Sequence, residues 1–123
     1  MYKVQKTMEI CGSHQLELNY DSPCCGLHGH NWFVTIYMRA NALDKNGMVF
    51  DFAKIKKLIH NKFDHKHLND VVGFNPTAEN LACYICAELN VDHTVEDIER
   101  GLRCYRVDVE ETKNNIATFE EDK

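Results

Sequence analysis

The chain has 123 residues, a formal net charge of −5, 44% hydrophobic and 27% charged residues. That is the size and balance of one globular domain, expected to span residues 1–123. The acidic balance argues against a nucleic-acid surface, and no stretch approaches the roughly 20 apolar residues of a membrane span.

Residues 3 to 18 read as a first strand, kinked at Gly12. Residues 19 to 27, with Asn19, Asp21, Ser22, Pro23 and Gly26, read as a loop. Residues 28 to 40 predict a second strand, because Trp32, Val34, Ile36 and Met38 alternate with Phe33, Thr35, Tyr37 and Arg39. A turn follows at Asp44-Lys45-Asn46-Gly47. Asp51 can cap a helix running to about Phe63, with Phe52, Ile55, Ile59 and Phe63 at helical spacing and Lys54, Lys56 and Lys57 outside.

Asn75-Pro76-Thr77 starts a second helix, with Thr77 as N-cap and a buried stripe of Ala78, Leu81, Ala82, Ile85 and Leu89. Gly101 opens a third strand over 102–111, and a turn at Lys113-Asn114-Asn115 leads to a fourth over 116–120. The expected fold is α+β, a ββααββ antiparallel sheet with both helices on one face. Its open edges favour association between subunits. The ending Glu120-Glu121-Asp122-Lys123 reads as a solvated tail.

His28-Gly29-His30 is the most informative tripeptide. On a strand, positions i and i+2 point to the same side, so both imidazoles project together. Antiparallel pairing can bring His14 to the same ion. Three imidazoles suit zinc, and three protein ligands leave a fourth position open, as in catalytic sites. The second His-x-His, His65 and His67, falls near a helix end and is the poorer candidate. The Met1–Lys6 start lacks the apolar run of a signal peptide, so a cytoplasmic location is expected. Cys11, Cys24, Cys25, Cys83, Cys86 and Cys104 are then expected as reduced thiols, with Cys83 and Cys86 read as helix-packing residues.

On the last long strand, Tyr105, Val107, Val109 and Glu111 share one face with Arg103. Cys104, Arg106, Asp108 and Glu110 share the other. A carboxylate ending an apolar row needs a partner, unless the strand simply ends in solvent there.

Five motifs stand in order: Cys24-Cys25-Gly26-Leu27-His28-Gly29-His30-Asn31, Gly47-Met48-Val49-Phe50-Asp51-Phe52, Phe63-Asp64-His65-Lys66-His67-Leu68-Asn69, Pro76-Thr77-Ala78-Glu79-Asn80 and Glu111-Thr112. In these the chain resembles the 6-pyruvoyltetrahydropterin synthase family, and is most similar to its bacterial branch in queuosine biosynthesis. The resemblance implies a tunnelling fold, in which three ββααββ subunits join into a barrel and two trimers stack as a homohexamer with active sites between subunits. It implies a zinc-dependent lyase acting on 7,8-dihydroneopterin triphosphate. In the queuosine branch the products are 6-carboxy-5,6,7,8-tetrahydropterin, acetaldehyde and triphosphate; in the biopterin branch the product is 6-pyruvoyltetrahydropterin.

By the same resemblance, His14, His28 and His30 are zinc ligands and Cys24 the catalytic base, with the adjacent Cys25 as rival. Asp64 and His65 form a catalytic pair, although a helix-terminal Asp and His pair would look the same. Glu111 anchors the pterin, and Thr77 and Glu79 help line its pocket, where helix capping explains them nearly as well. The family's Phe-x-Ala-x-His pattern is here Ile10-Cys11-Gly12-Ser13-His14.

Overall fold

The alternating strands assemble into one five-stranded sheet in the computed structural model, which describes residues 1–122. β1 (Tyr2–His14) and β2 (His28–Ala40) pair antiparallel along their whole length, Tyr2 opposite Ala40 and His14 opposite His28. Even-numbered side chains of both strands (Met8, Ile10, Trp32, Val34, Ile36 and Met38) are buried on one face. β4 (Arg103–Thr112) pairs with β2, and β5 (Asn115–Glu120) with β4. β3 (Lys66–His67), too short to show a period, adds a parallel pairing to β1 at Gly12 and Ser13. The order is β3-β1-β2-β4-β5.

The helices form where caps and apolar stripes coincide. α1 (Phe52–Phe63) starts at Asp51, whose carboxylate accepts the Ala53 N–H at 2.9 Å, and buries Ile55, Ile59 and Phe63. α2 (Leu68–Val71) is a single turn. α3 (Ala78–Glu88) starts at Thr77, which accepts the Asn80 N–H at 3.1 Å, and buries Ala78, Leu81, Ala82, Ile85 and Cys86. α4 (Val95–Glu99) is closed by a capping box between Thr94 and Asp97. α1 lies over β1 and α3 over β4 and β5, and both pack into one core with Trp32, Val34 and Val109. Among the described residues, no helix is long and apolar enough to cross a membrane.

Several expectations are corrected. β1 ends at His14, and the segment after it is held by side chains instead of a strand. Asn69 bonds both N–H and C=O of Gln15, and Asn75 does the same for Glu17. Gly12 is no kink: a Cβ there would meet Leu68 Cδ2 at 3.3 Å, so the missing side chain lets β3 and α2 close against β1. Phe52 is 46% exposed and lies outside the core stripe. Cys83 is exposed, whereas Cys86 packs inside.

The face assignment on β4 also changes. Tyr37 pairs with Arg106 but Met38 with Cys104, so Tyr105 is the extra residue of a β-bulge. The parity switches there. Cys104 is buried with Val107 and Val109, while Tyr105 turns to the opposite face beside Tyr37, Lys3 and Arg39. Glu121 is no free tail residue, because its carboxylate takes a fork of bonds from Arg103 at 2.8 and 2.6 Å. Lys123 lies outside the described residues.

The two ends of the α1 stripe should respond differently to truncation. Ile59→Ala is expected to cost about 2–5 kcal/mol, whereas Phe52→Ala should stay within roughly 1 kcal/mol. Urea unfolding of both variants checks this, and equal losses would return Phe52 to the core.

Candidate metal centre

The β1–β2 ladder builds the centre. Its last pair sets His14 opposite His28, and the Gly12 pair sets His30 one step inward. All three side chains point to the face that buries Trp32. The ring centroids lie 4.4 Å (His14–His28), 4.7 Å (His28–His30) and 5.2 Å (His14–His30) apart. Trp32 floors the cluster, edge-on to His14 and His30 at 4.8 and 5.3 Å.

Backbone carbonyls fix which nitrogens are free. His14 Nδ1 donates to Pro76 O at 2.8 Å and His28 Nδ1 to Gly26 O at 2.7 Å. A carbonyl only accepts, so both Nδ1 atoms carry the proton and both Nε2 lone pairs are left as ligands. Neither carbonyl is identifiable from the sequence as a functional group, since the signal is a backbone oxygen. His14 is fully buried, yet among the described residues its Nε2 has no hydrogen-bond partner; nor does His30 Nε2. Buried polar atoms are rarely left so.

Glu111 completes the group. Its Oε1 lies 3.0 Å from His30 Nε2 and 3.4 Å from His14 Nε2, within ion-pair reach but outside hydrogen-bond geometry. One ligand atom from each of His14, His28, His30 and Glu111 lies within 4.8 Å of the others. Burial holds His14 below the ordinary 6.5, against the Pro76 carbonyl and Glu111, which favour its charged form. Burial likewise lowers His30, again opposed by Glu111. Neutral imidazoles are the ligand form, so the donor set fits a divalent ion of zinc type.

The other sequence candidates fall around this centre. Glu79 and Glu111 line one cleft of about 340 Å³ with Ala78, Asn114 and Asn115. Thr77 spends its hydroxyl on the α3 cap. Cys24 sits in a 3-10 turn, Pro23–Cys25, started by Ser22. Its backbone N–H donates to Ser22 Oγ at 3.2 Å, while the Cys25 thiol points to Tyr20 O at 3.8 Å.

Asp64 and His65 do meet each other, Oδ2 to Nε2 at 3.4 Å. His60, missed in the sequence reading, reaches the same oxygen at 3.3 Å from one turn earlier. Its spacing of four residues from Asp64 on a helix was the available signal. Asp64 Oδ1 accepts the Cys11 N–H at 2.9 Å, and this bond first of all holds its carboxyl below the ordinary value of 3.8. His65 has φ +57° and is 81% exposed. No ion pair or hydrogen bond among the described residues joins Asp64 or His65 to the three histidines, although His65 and His30 border one cleft of about 450 Å³.

An α+β sheet carrying, at the end of its first hairpin, a histidine–carboxylate cluster that could hold a metal ion is the architecture of a tunnelling-fold protein. The chain belongs to the 6-pyruvoyl tetrahydropterin synthase family, whose profile matches residues 3–122. It is 30% identical over 125 residues to the 6-carboxy-5,6,7,8-tetrahydropterin synthase of Bacillus subtilis, covering 96% of this chain and 84% of that protein. The enzyme of the same name from Synechocystis is 33% identical over 113 residues, covering 80% of this chain and 87% of that one. Among solved structures, the Caenorhabditis elegans 6-pyruvoyl tetrahydropterin synthase superposes with a TM-score of 0.75 at 27% identity, covering 98% of this chain and 96% of that one.

The lowered Asp64 carboxyl makes a signed prediction. Its charged form is favoured in the fold, so its stabilisation is complete above the ordinary 3.8 and is lost as pH falls through the lower folded value. Thermal melts should therefore show Asp64→Asn losing less stability than the unaltered chain on acidification below about pH 4. Parallel pH profiles would refute the assignment.

Proposed function

We propose that the chain is a zinc-dependent carbon–carbon lyase, a 6-carboxy-5,6,7,8-tetrahydropterin synthase. It would convert 7,8-dihydroneopterin triphosphate to 6-carboxytetrahydropterin, acetaldehyde and triphosphate in cytoplasmic queuosine biosynthesis. The observation that carries the reading is the convergence of three imidazole nitrogens, two of them buried and unpartnered, in a chain similar to enzymes of that name. When bound, zinc supplies Lewis acidity that eases deprotonation of the substrate side chain.

Each protein group has a part in this reading. His14, His28 and His30 hold the ion through Nε2, with Pro76 O and Gly26 O keeping His14 and His28 in the ligating tautomer. Cys24 takes a proton from the substrate side chain as thiolate. Its thiol has no hydrogen-bond partner among the described residues, whereas that of Cys25 is turned to Tyr20 O, which favours Cys24 over its neighbour. Asp64 orients His65, a pair suited to moving protons. Glu111 pairs with the donor edge of the pterin, in a cleft shared with Glu79 and lying beside the Thr77 cap.

A homohexamer belongs to the same reading. Among the described residues only Gly12 and Ser13 of β1 pair with β3, and Cys11 is bonded by Asp64 and His65, so the edge from Tyr2 to Ile10 is open to another sheet, as is the outer edge of β5. Subunits joined through such edges, with active sites between them, would account for Asp64 and His65 making no bond, among the described residues, to His14, His28 and His30 of their own chain.

A sibling activity is the second reading, 6-pyruvoyltetrahydropterin formation, because the family profile carries that description. Three residues separate Cys24 from His28, the spacing of the queuosine branch, which favours the first. Incubating the zinc-loaded protein with 7,8-dihydroneopterin triphosphate and weighing the products should give carboxytetrahydropterin and acetaldehyde; a pyruvoyl product would overturn the choice. Cys24→Ala should lower turnover by at least about 100-fold with zinc retained. Loss in Cys25→Ala instead would move the base to Cys25.

A further inference from the structure

We propose that Glu111 is a fourth metal ligand in the substrate-free protein, closing the coordination position that the three histidines leave open. The inference rests on the histidine centre of the proposed function, but that function does not require it.

The geometry around Glu111 carries the case. Its Oε1 is 3.0 Å from His30 Nε2 and 3.4 Å from His14 Nε2, and neither contact has hydrogen-bond geometry. Three nitrogens and one carboxylate oxygen thus face a common point without bonding one another. An ion there satisfies all of them, and histidine with carboxylate is an ordinary zinc donor set.

The backbone explains how the carboxylate arrives. Glu110 pairs with Ile116 and Thr112 with Asn115, so Glu111 is the extra residue of a β-bulge. The β2 side keeps its register through Val109 and Glu110, so Glu111 stays on the face of Val109 and reaches the histidines. The neighbouring Glu110 carboxylate stays on the hairpin, accepting the Asn114 N–H at 3.3 Å. Among the described residues, the Glu111 carboxylate has no polar contact except the two histidines.

Glu111 also lines the cleft that it shares with Glu79. Its carboxylate therefore stands between the centre and the cleft. Three neutral imidazoles leave both charges of a divalent ion uncompensated, and a carboxylate halves that burden in a part-buried site. A donor edge entering the cleft competes for the same oxygen atoms, so ligand entry and opening of the fourth position become one event.

Two measurements test the assignment without turnover. A crystal structure of the zinc-loaded, substrate-free protein should show a Glu111 oxygen at about 2.0–2.2 Å from zinc. Zinc on the three histidines, with solvent in the fourth position and Glu111 beyond about 3 Å, overturns the inference and leaves the proposed function standing. Zinc absent from the histidines removes both. In solution, Glu111→Gln should weaken cobalt(II) binding at least about tenfold, since second-shell changes alone already reach that range. Glu110→Gln removes the same charge one residue away and should leave the affinity unchanged. Equal weakening in the two variants would make Glu111 a source of field rather than a ligand, and would sink the proposal.

Discussion

Everything at the centre depends on the register of one antiparallel ladder. Pairing runs unbroken from Tyr2 opposite Ala40 to His14 opposite His28. The alternation that buries Met8, Ile10, Trp32, Val34 and Ile36 is the same one that turns His14, His28 and His30 to a common side. A slip of one residue would carry the core and the histidines to the wrong face together. The apolar side chains therefore hold the ligands in place: burying a side chain of this size is worth about 1.5–3 kcal/mol, and several lie in the same two strands. Functional geometry at the ladder's end borrows its precision from packing in its middle.

That register sets positions, and the loops set orientation. His14 is tied through Nδ1 to Pro76, the residue before the α3 cap, while His28 is tied to Gly26 in the turn before its own strand. The Pro76 segment is itself anchored. Asn75 pairs its amide with the backbone of Glu17, and Asn80 donates to Asn75 O at 2.9 Å. The entry to α3 thus does two tasks, starting a helix and fixing a ligand's tautomer, which explains why the sequence around Pro76 and Thr77 looks like capping alone.

Local periodicity made much of this legible beforehand. The bounds of β2, the Asp51 and Thr77 caps and the three histidines follow from alternation, capping chemistry and the His-x-His spacing. Where the reading strayed, a long-range contact had overridden a local signal. Gly12 looks like a kink but makes room for Leu68, 56 positions later in the chain by their numbering. Tyr105 carries the parity of a core residue, yet its bulge sends it to the other face. Phe52 has helical spacing with Ile55 and Ile59 but sits at the helix start, where its ring is left half exposed. A bulge inserts one residue without changing composition, so no period-two pattern reveals it.

The two bulges of β4 have opposite consequences for the same parity argument. At Tyr105 the extra residue breaks the row, and the core continues through Cys104. At Glu111 the irregularity lies between β4 and β5, while the β2 side still pairs Phe33 with Glu110 and Val34 with Val109. Glu111 therefore keeps the face of Val109 and extends the buried row to the histidines, where an apolar residue would otherwise stand. A carboxylate there faces three imidazoles, and burial lowers the pKa of two of them, His14 and His30. Among the described residues that carboxylate has no other polar partner. The charge that this arrangement calls for is positive, compact and placed between the nitrogens and the oxygen. A divalent ion meets all three conditions, and for the carboxylate alone so does the donor edge of a pterin. The alternation of the strand, which sets Glu111 at the end of an apolar row, therefore decides what it faces more than its place in any motif does.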